Sequence, residues 1–96
     1  MTGKKIDFFS AAIVAVKISK LTGYKIGRNK VYAIMREIGM IHYGPEKAPC
    51  SWAAERDLIH YQAWCDEFHI TYKISVSERG IRYMIEKMPE KFKKIK

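Results

Sequence analysis

Between Lys17 and Arg36 stand eight side chains with the chemistry to engage a nucleic-acid duplex. Arg28 and Arg36 carry guanidinium forks that fit the major-groove edge of guanine, and the Asn29 carboxamide fits adenine. Tyr32 can reach a base or the groove wall. Lys17, Lys20, Lys25 and Lys30 are suited to phosphates, which position a protein on a duplex without reading its sequence. To act together, the first four must share one face of a rigid element. A helix over Arg28–Glu37 supplies it, because Val31, Ile34, Met35 and Ile38 recur at i, i+3, i+4 and i+7 and define a buried stripe. The opposite side then carries Asn29, Tyr32, Ala33 and Arg36, with Lys30 and Glu37 at one edge and Arg28 nearer the other. The small Ala33 permits close approach to a groove.

That helix needs a partner and a turn. A preceding helix is predicted from about Ser10, a possible N-cap, to Thr22, with Ala12, Val16 and Ser19 near the i, i+4, i+7 spacing of one face. Gly23 sits where a helix ends in a left-handed residue, and Tyr24 to Gly27 read as a turn. Two short helices joined by a glycine-containing turn form a helix–turn–helix. The pattern fits: Ser19 is the small residue four positions before Gly23, and Ile18, Leu21 and Tyr24 are the flanking apolar residues. The turn is two residues longer than in the shortest form of the motif. Gly39 stops the second helix.

Downstream, Met40–Tyr43 can start a short strand, and the two prolines of Gly44–Pro49 mark a loop. Ser51 can cap a third helix over Trp52–Asp66, with Ala54, Leu58, Tyr61 and Cys65 as its apolar line. Phe68, Ile70, Tyr72, Ile74 and Val76 alternate with polar residues, as in one strand or a tight hairpin around Thr71–Lys73, and Phe68 and Tyr72 then belong to the core. Ser77 caps a last helix over Glu78–Lys87, with Ile81, Met84, Ile85 and Met88 on one face and Pro89 closing it. The order predicts one small α+β domain over residues 1–96, with flexible basic ends at 1–7 and 89–96.

From Ile18 to Ile41 the chain reads ISKLTGYKIGRNKVYAIMREIGMI. This resembles the C-terminal domain family of phage antirepressors (KilA-C, or ANT), through Ile26-Gly27-Arg28-Asn29-Lys30 and Arg36-Glu37-x-Gly39. Tyr61-Gln62 through Phe68 is similar to that family's segment ending in an aromatic residue before the wing. Ser77-Glu78-Arg79-Gly80-Ile81 is similar to its turn into the last helix, with Glu78 where proline is usual. The stretch between Phe68 and Ser77 is shorter than a typical wing, and residues 44–56 have no counterpart. The resemblance implies a winged-helix-like domain of phage or prophage type that acts on lysogeny or early gene control. It also implies two alternatives for the partner. One is double-stranded DNA, bound to control transcription. The other is a repressor, or another regulatory or defence protein, gripped through helix 52–66 and its tryptophans.

Charge favours a polyanion: 18 Lys+Arg against 10 Asp+Glu give +8 in 96 residues. No apolar run reaches the roughly 18–20 residues that span a bilayer. Two cysteines are too few for a disulfide scaffold, and the expected place is the cytoplasm of a bacterial host. Cys50, His60, Cys65 and His69, spaced C-x9-H-x4-C-x3-H, match no zinc finger, and two buried thiols with two surface imidazoles are expected instead. Nucleophile elbows, phosphate-binding loops and HExxH are absent, so neither enzyme chemistry nor a cofactor is expected. Trp52 and Trp64 are candidates for a protein interface. One recognition helix implies a dimer or neighbouring modules for high affinity, but the sequence offers no heptad or evident dimer face.

Overall fold

The computed structural model describes residues 6–42, 48–65, 67–68 and 70–93. In chain order they form strand β1 (Phe8–Ser10), helices α1 (Ala11–Thr22), α2 (Arg28–Glu37) and α3 (Ser51–Glu55), strands β2 (Ile59–Cys65) and β3 (Ile70–Ser77), and helix α4 (Glu78–Lys87). A 3-10 turn over Glu90–Phe92 follows. The strands make one antiparallel sheet in the order β1-β3-β2. This is a small α+β domain, and two helices followed by a β-hairpin are compatible with a winged-helix-like fold. Among the described residues no helix is long and apolar enough to cross a membrane.

Helices α2 and α4 lie where the periodicity predicts them, because strong local signals bound both. The α2 stripe buries Val31, Ile34 and Met35 fully, and that of α4 buries Ile81 and Met84. The Ser77 side chain caps α4 by accepting from the Gly80 N–H at 3.1 Å. The same hydroxyl donates to the Asp57 carbonyl at 2.6 Å, tying the start of α4 to the chain entering β2. Gly80 is required at this joint: a Cβ there would collide with the Leu58 carbonyl oxygen and lie 2.6 Å from Val76 Cγ1.

Helix α1 exists as predicted but buries a different face. Ala11, Val14, Ala15 and Ile18 are inside, Ala12 and Val16 are exposed, and Ser19 sits half-buried at the edge. The helix is apolar around most of its circumference, so spacing alone does not select a side; packing against α2 and the sheet does. The preceding strand, β1, had no signal in the sequence and pairs Phe8–Ser10 with Ser77–Ser75.

The helix predicted over Trp52–Asp66 ends at Glu55. Asp57, at φ 57°, is the one described non-glycine residue in the left-handed region. The Asp57 N–H donates to Ala54 O at 3.1 Å and the Leu58 N–H to Ala53 O at 3.0 Å, which closes α3 and releases the chain into β2. The hairpin turn then falls between Cys65 and Ile70, not at Thr71–Lys73. Phe68 is therefore 85% exposed beside the turn and is not core, whereas Tyr72 is half-buried and Ile74 buried. Of the strand expected over Met40–Tyr43, the described residues Met40–His42 show a single bridge, Ile41 to Pro49, and Tyr43 lies outside the described residues. Most of the loop expected over 44–49, and the ends 1–5 and 94–96, lie outside the described residues. Within the end expected to be flexible from residue 89, Phe92 is buried in the core and Lys91 Nζ lies 2.9 Å from a Glu37 oxygen.

Candidate nucleic-acid interface

The turn between α1 and α2 is held by backbone bonds and three side-chain anchors. Gly23, at φ 80°, adopts the left-handed conformation and donates its N–H to Ser19 O at 2.8 Å. The Ser19 hydroxyl accepts from the Ile26 N–H at 3.3 Å and donates to the Ile26 carbonyl at 3.1 Å. The Thr22 hydroxyl accepts from the Tyr24 N–H at 3.1 Å. Ile26, 6% exposed, plugs the turn into the core. These ties fix where α2 begins, and hence where its first residues point.

The start of α2 gathers a cluster of cations. Arg28 and Asn29 are exposed on its first turn. Lys20, Lys25 and Arg28 line an open groove of about 560 Å³ between α1 and the turn, floored by Val16, Ser19 and Gly27. Lys30 packs beside them, its ammonium donating to Lys25 O at 3.2 Å. From Phe8 to Arg36 the chain has six Lys or Arg side chains and no carboxylate. The first turn of α2 has no acidic residue and no side-chain cap, so the positive end of the helix dipole adds to the field of these cations.

The remaining expected contact residues are placed differently. Tyr32 is half-buried and packs against the core, as does Ala33, and Arg36 is half-buried in the last turn of α2. Lys17 lies at the other edge of α1, 3.2 Å from a Glu78 carboxylate oxygen and 4.5 Å above the Phe9 ring. The structure thus gathers Lys20, Lys25, Arg28, Asn29 and Lys30, and sets Lys17 toward α4. A second cationic hollow, of about 400 Å³, lies on the α4 side, lined by Arg56, Arg79 and Arg82 with Leu58, Tyr83 and Glu86. Its only sequence signal was the Arg79–Arg82 spacing of one helical turn.

The other candidate groups resolve as follows. Trp52 is half-buried and pins two elements: its indole N–H donates to Gly39 O at 2.9 Å and its ring meets Tyr83 edge-on at 5.6 Å. Trp64, on β2, is 52% exposed. Among the described residues no group of three or more His, Cys, Asp or Glu could hold a metal ion. Of the two thiols expected to be buried, Cys65 is exposed and Cys50 half-buried, and burial pushes the Cys50 thiol above its usual pKa. Comparisons with protein-family models, with curated proteins and with solved structures return no match.

Proposed function

We propose that the chain is a DNA-binding regulatory domain of phage or prophage type, acting in the bacterial cytoplasm, that enters the major groove with α2. The observation that carries this reading is the exposed first turn of α2, with Arg28 and Asn29 flanked by Lys20, Lys25 and Lys30 and no nearby carboxylate on α1 or the turn. Arg28 and Asn29 read base edges and Lys20, Lys25 and Lys30 hold phosphates, while the half-buried Tyr32 and Arg36, farther along α2, meet at most the groove wall. Lys17 joins them only by leaving Glu78, a small cost for a solvent-exposed pair. The resemblance of residues 18–41 to the phage antirepressor family supports the same reading.

The test is selection of a random duplex library by the purified protein at physiological salt, with sequencing of the retained pool. An enriched motif supports direct readout. A pool without a motif, released by modest added salt, overturns it. The alternative is an antirepressor-like modulator that binds a repressor or other regulatory protein. Exposed Tyr61, Trp64, Phe68 and Ile70 favour a protein contact, now on the hairpin instead of a helix over 52–66. Duplex DNA displaces such a partner only if the partner also uses α2.

A further inference from the structure

We infer that β2 is a self-pairing edge, through which two copies of this chain join their sheets into one of six strands. Among the described residues β2 pairs with β3 alone, so along its outer edge the backbone donors and acceptors of alternate residues meet no second strand. Folded proteins guard such an edge with lysine, proline, a bulge or shortness. The sequence of β2, IHYQAWC, has no Lys, Arg, Asp, Glu or Pro, and it pairs with β3 without a bulge. The opposite edge of the sheet, β1, is guarded by its length of three residues. What satisfies a bare edge is another extended strand.

Side chains and charge select a second copy as that strand. The register places Tyr61, Ala63 and Cys65 on one face with Ile70 and Tyr72, continuous with buried Ile59, Ile74 and Val76. This apolar face runs out past the core, leaving Tyr61 42% and Ile70 46% exposed. An antiparallel pairing centred on Gln62 sets Ile59 opposite Cys65, Tyr61 opposite Ala63 and His60 opposite Trp64 of the second copy. Every pair then shares a face, so the apolar side continues across the two-fold axis. The hairpin from Ile59 to Val76 contains Lys73 against Asp66 and Glu67, while the rest of the chain is strongly basic. Meeting hairpin to hairpin therefore brings together the least cationic surfaces of two chains that each carry +8.

This inference does not depend on DNA binding, although a dimer would supply the second recognition helix that one copy lacks. It is tested on the whole chain without DNA, by sedimentation equilibrium of the wild type, Gln62→Lys, Gln62→Glu and an equal mixture of the two variants. Gln62 is exposed, so the monomer fold is expected to persist in each variant, which circular dichroism checks. The wild type is expected to dimerise. Either like-charged variant raises the dimer Kd by about fivefold or more, because it sets identical charges across the axis, and the mixture restores association. A wild type that stays monomeric, a dimer indifferent to Gln62→Lys, or a mixture that associates no better than either variant alone overturns the inference.

Discussion

Two regions of this small domain are built to opposite specifications. The α1–turn–α2 region is cationic around the turn and the start of α2, with its conformation tied by Ser19, Thr22 and Gly23, although α1 also leaves Ile13, Val16 and Leu21 exposed. The β2–β3 hairpin is anchored only at its base, where Ile59, Ile74 and Val76 are buried, and its outer half exposes Tyr61, Trp64, Phe68 and Ile70. Its charge is nearly balanced where the helical region carries six cations. The difference separates two kinds of partner. A fixed cationic surface suits a rigid polyanion such as duplex DNA, whereas a neutral, apolar, open-edged hairpin suits another protein strand. On this view the hairpin differs from a wing that grips DNA phosphates, since Lys73 is its one lysine or arginine.

The joint between α4 and the base of the hairpin is the most sensitive place to break the comparison. Gly80→Ala forces a methyl group into the Leu58 carbonyl and Val76, and a backbone atom cannot yield as a flexible side chain can. The expected cost is about 3 kcal/mol or more, a fall in Tm of more than roughly 10 °C by calorimetry. The whole domain should melt together, because α1, α2, α4 and the hairpin base share one core. A transition in which the hairpin melts alone would show that the regions are independent.

On the cationic side, substitutions of the exposed Asn29 and Lys25 sharpen the contrast without touching the fold. Asn29→Ala is expected to cost about 1–3 kcal/mol on the preferred duplex and to relax specificity at one base pair. Lys25→Ala should weaken all duplexes about equally and lower the salt slope by roughly one unit, measured by titration across salt concentrations. An Asn29→Ala protein with unchanged preference would remove Asn29 from the readout. Ser19→Ala comes next in size, at about 1 kcal/mol of stability by urea unfolding, because it strips the Ile26 N–H and carbonyl of their side-chain partner. It should also lower affinity for every duplex, since the turn it holds aims α2.

The same division explains what the sequence disclosed. Helix α2 and its outward cations were legible because their signals are local: a glycine turn, a four-residue apolar stripe, and basic residues on fixed faces. Helix α4 was legible from the Ser77 cap and the Ile81–Met84 stripe. The hairpin was not. Ala54, Leu58, Tyr61 and Cys65 imitate a helical line, yet Ile59-His60-Tyr61-Gln62-Ala63-Trp64-Cys65 is equally consistent with a strand. The choice is made by Asp57 in the left-handed region and by pairing with β3, and the pairing is non-local. Lys17 shows the same limit within the site, because its partner Glu78 lies 61 positions away in the chain.

Phe68 gives the finest test, because the two descriptions of the hairpin assign it opposite energies. As a core strand residue, which the alternation predicts, its truncation would cost about 3–5 kcal/mol. At 85% exposure it has little burial to lose, so Phe68→Ser should change the unfolding free energy by less than about 0.5 kcal/mol. The measurement belongs in the Gln62→Lys background, where association between copies is weakened and cannot contribute to the stability of either form. Ile74→Ala in that background is the control: Ile74 is 4% exposed on the same hairpin and should lose about 2–5 kcal/mol. Equal costs at the two positions would place the hairpin tip in the core and remove the apolar surface on which self-pairing draws. Unequal costs locate the boundary between open tip and anchored base between Phe68 in the turn and Ile74 in β3, six positions apart in the chain.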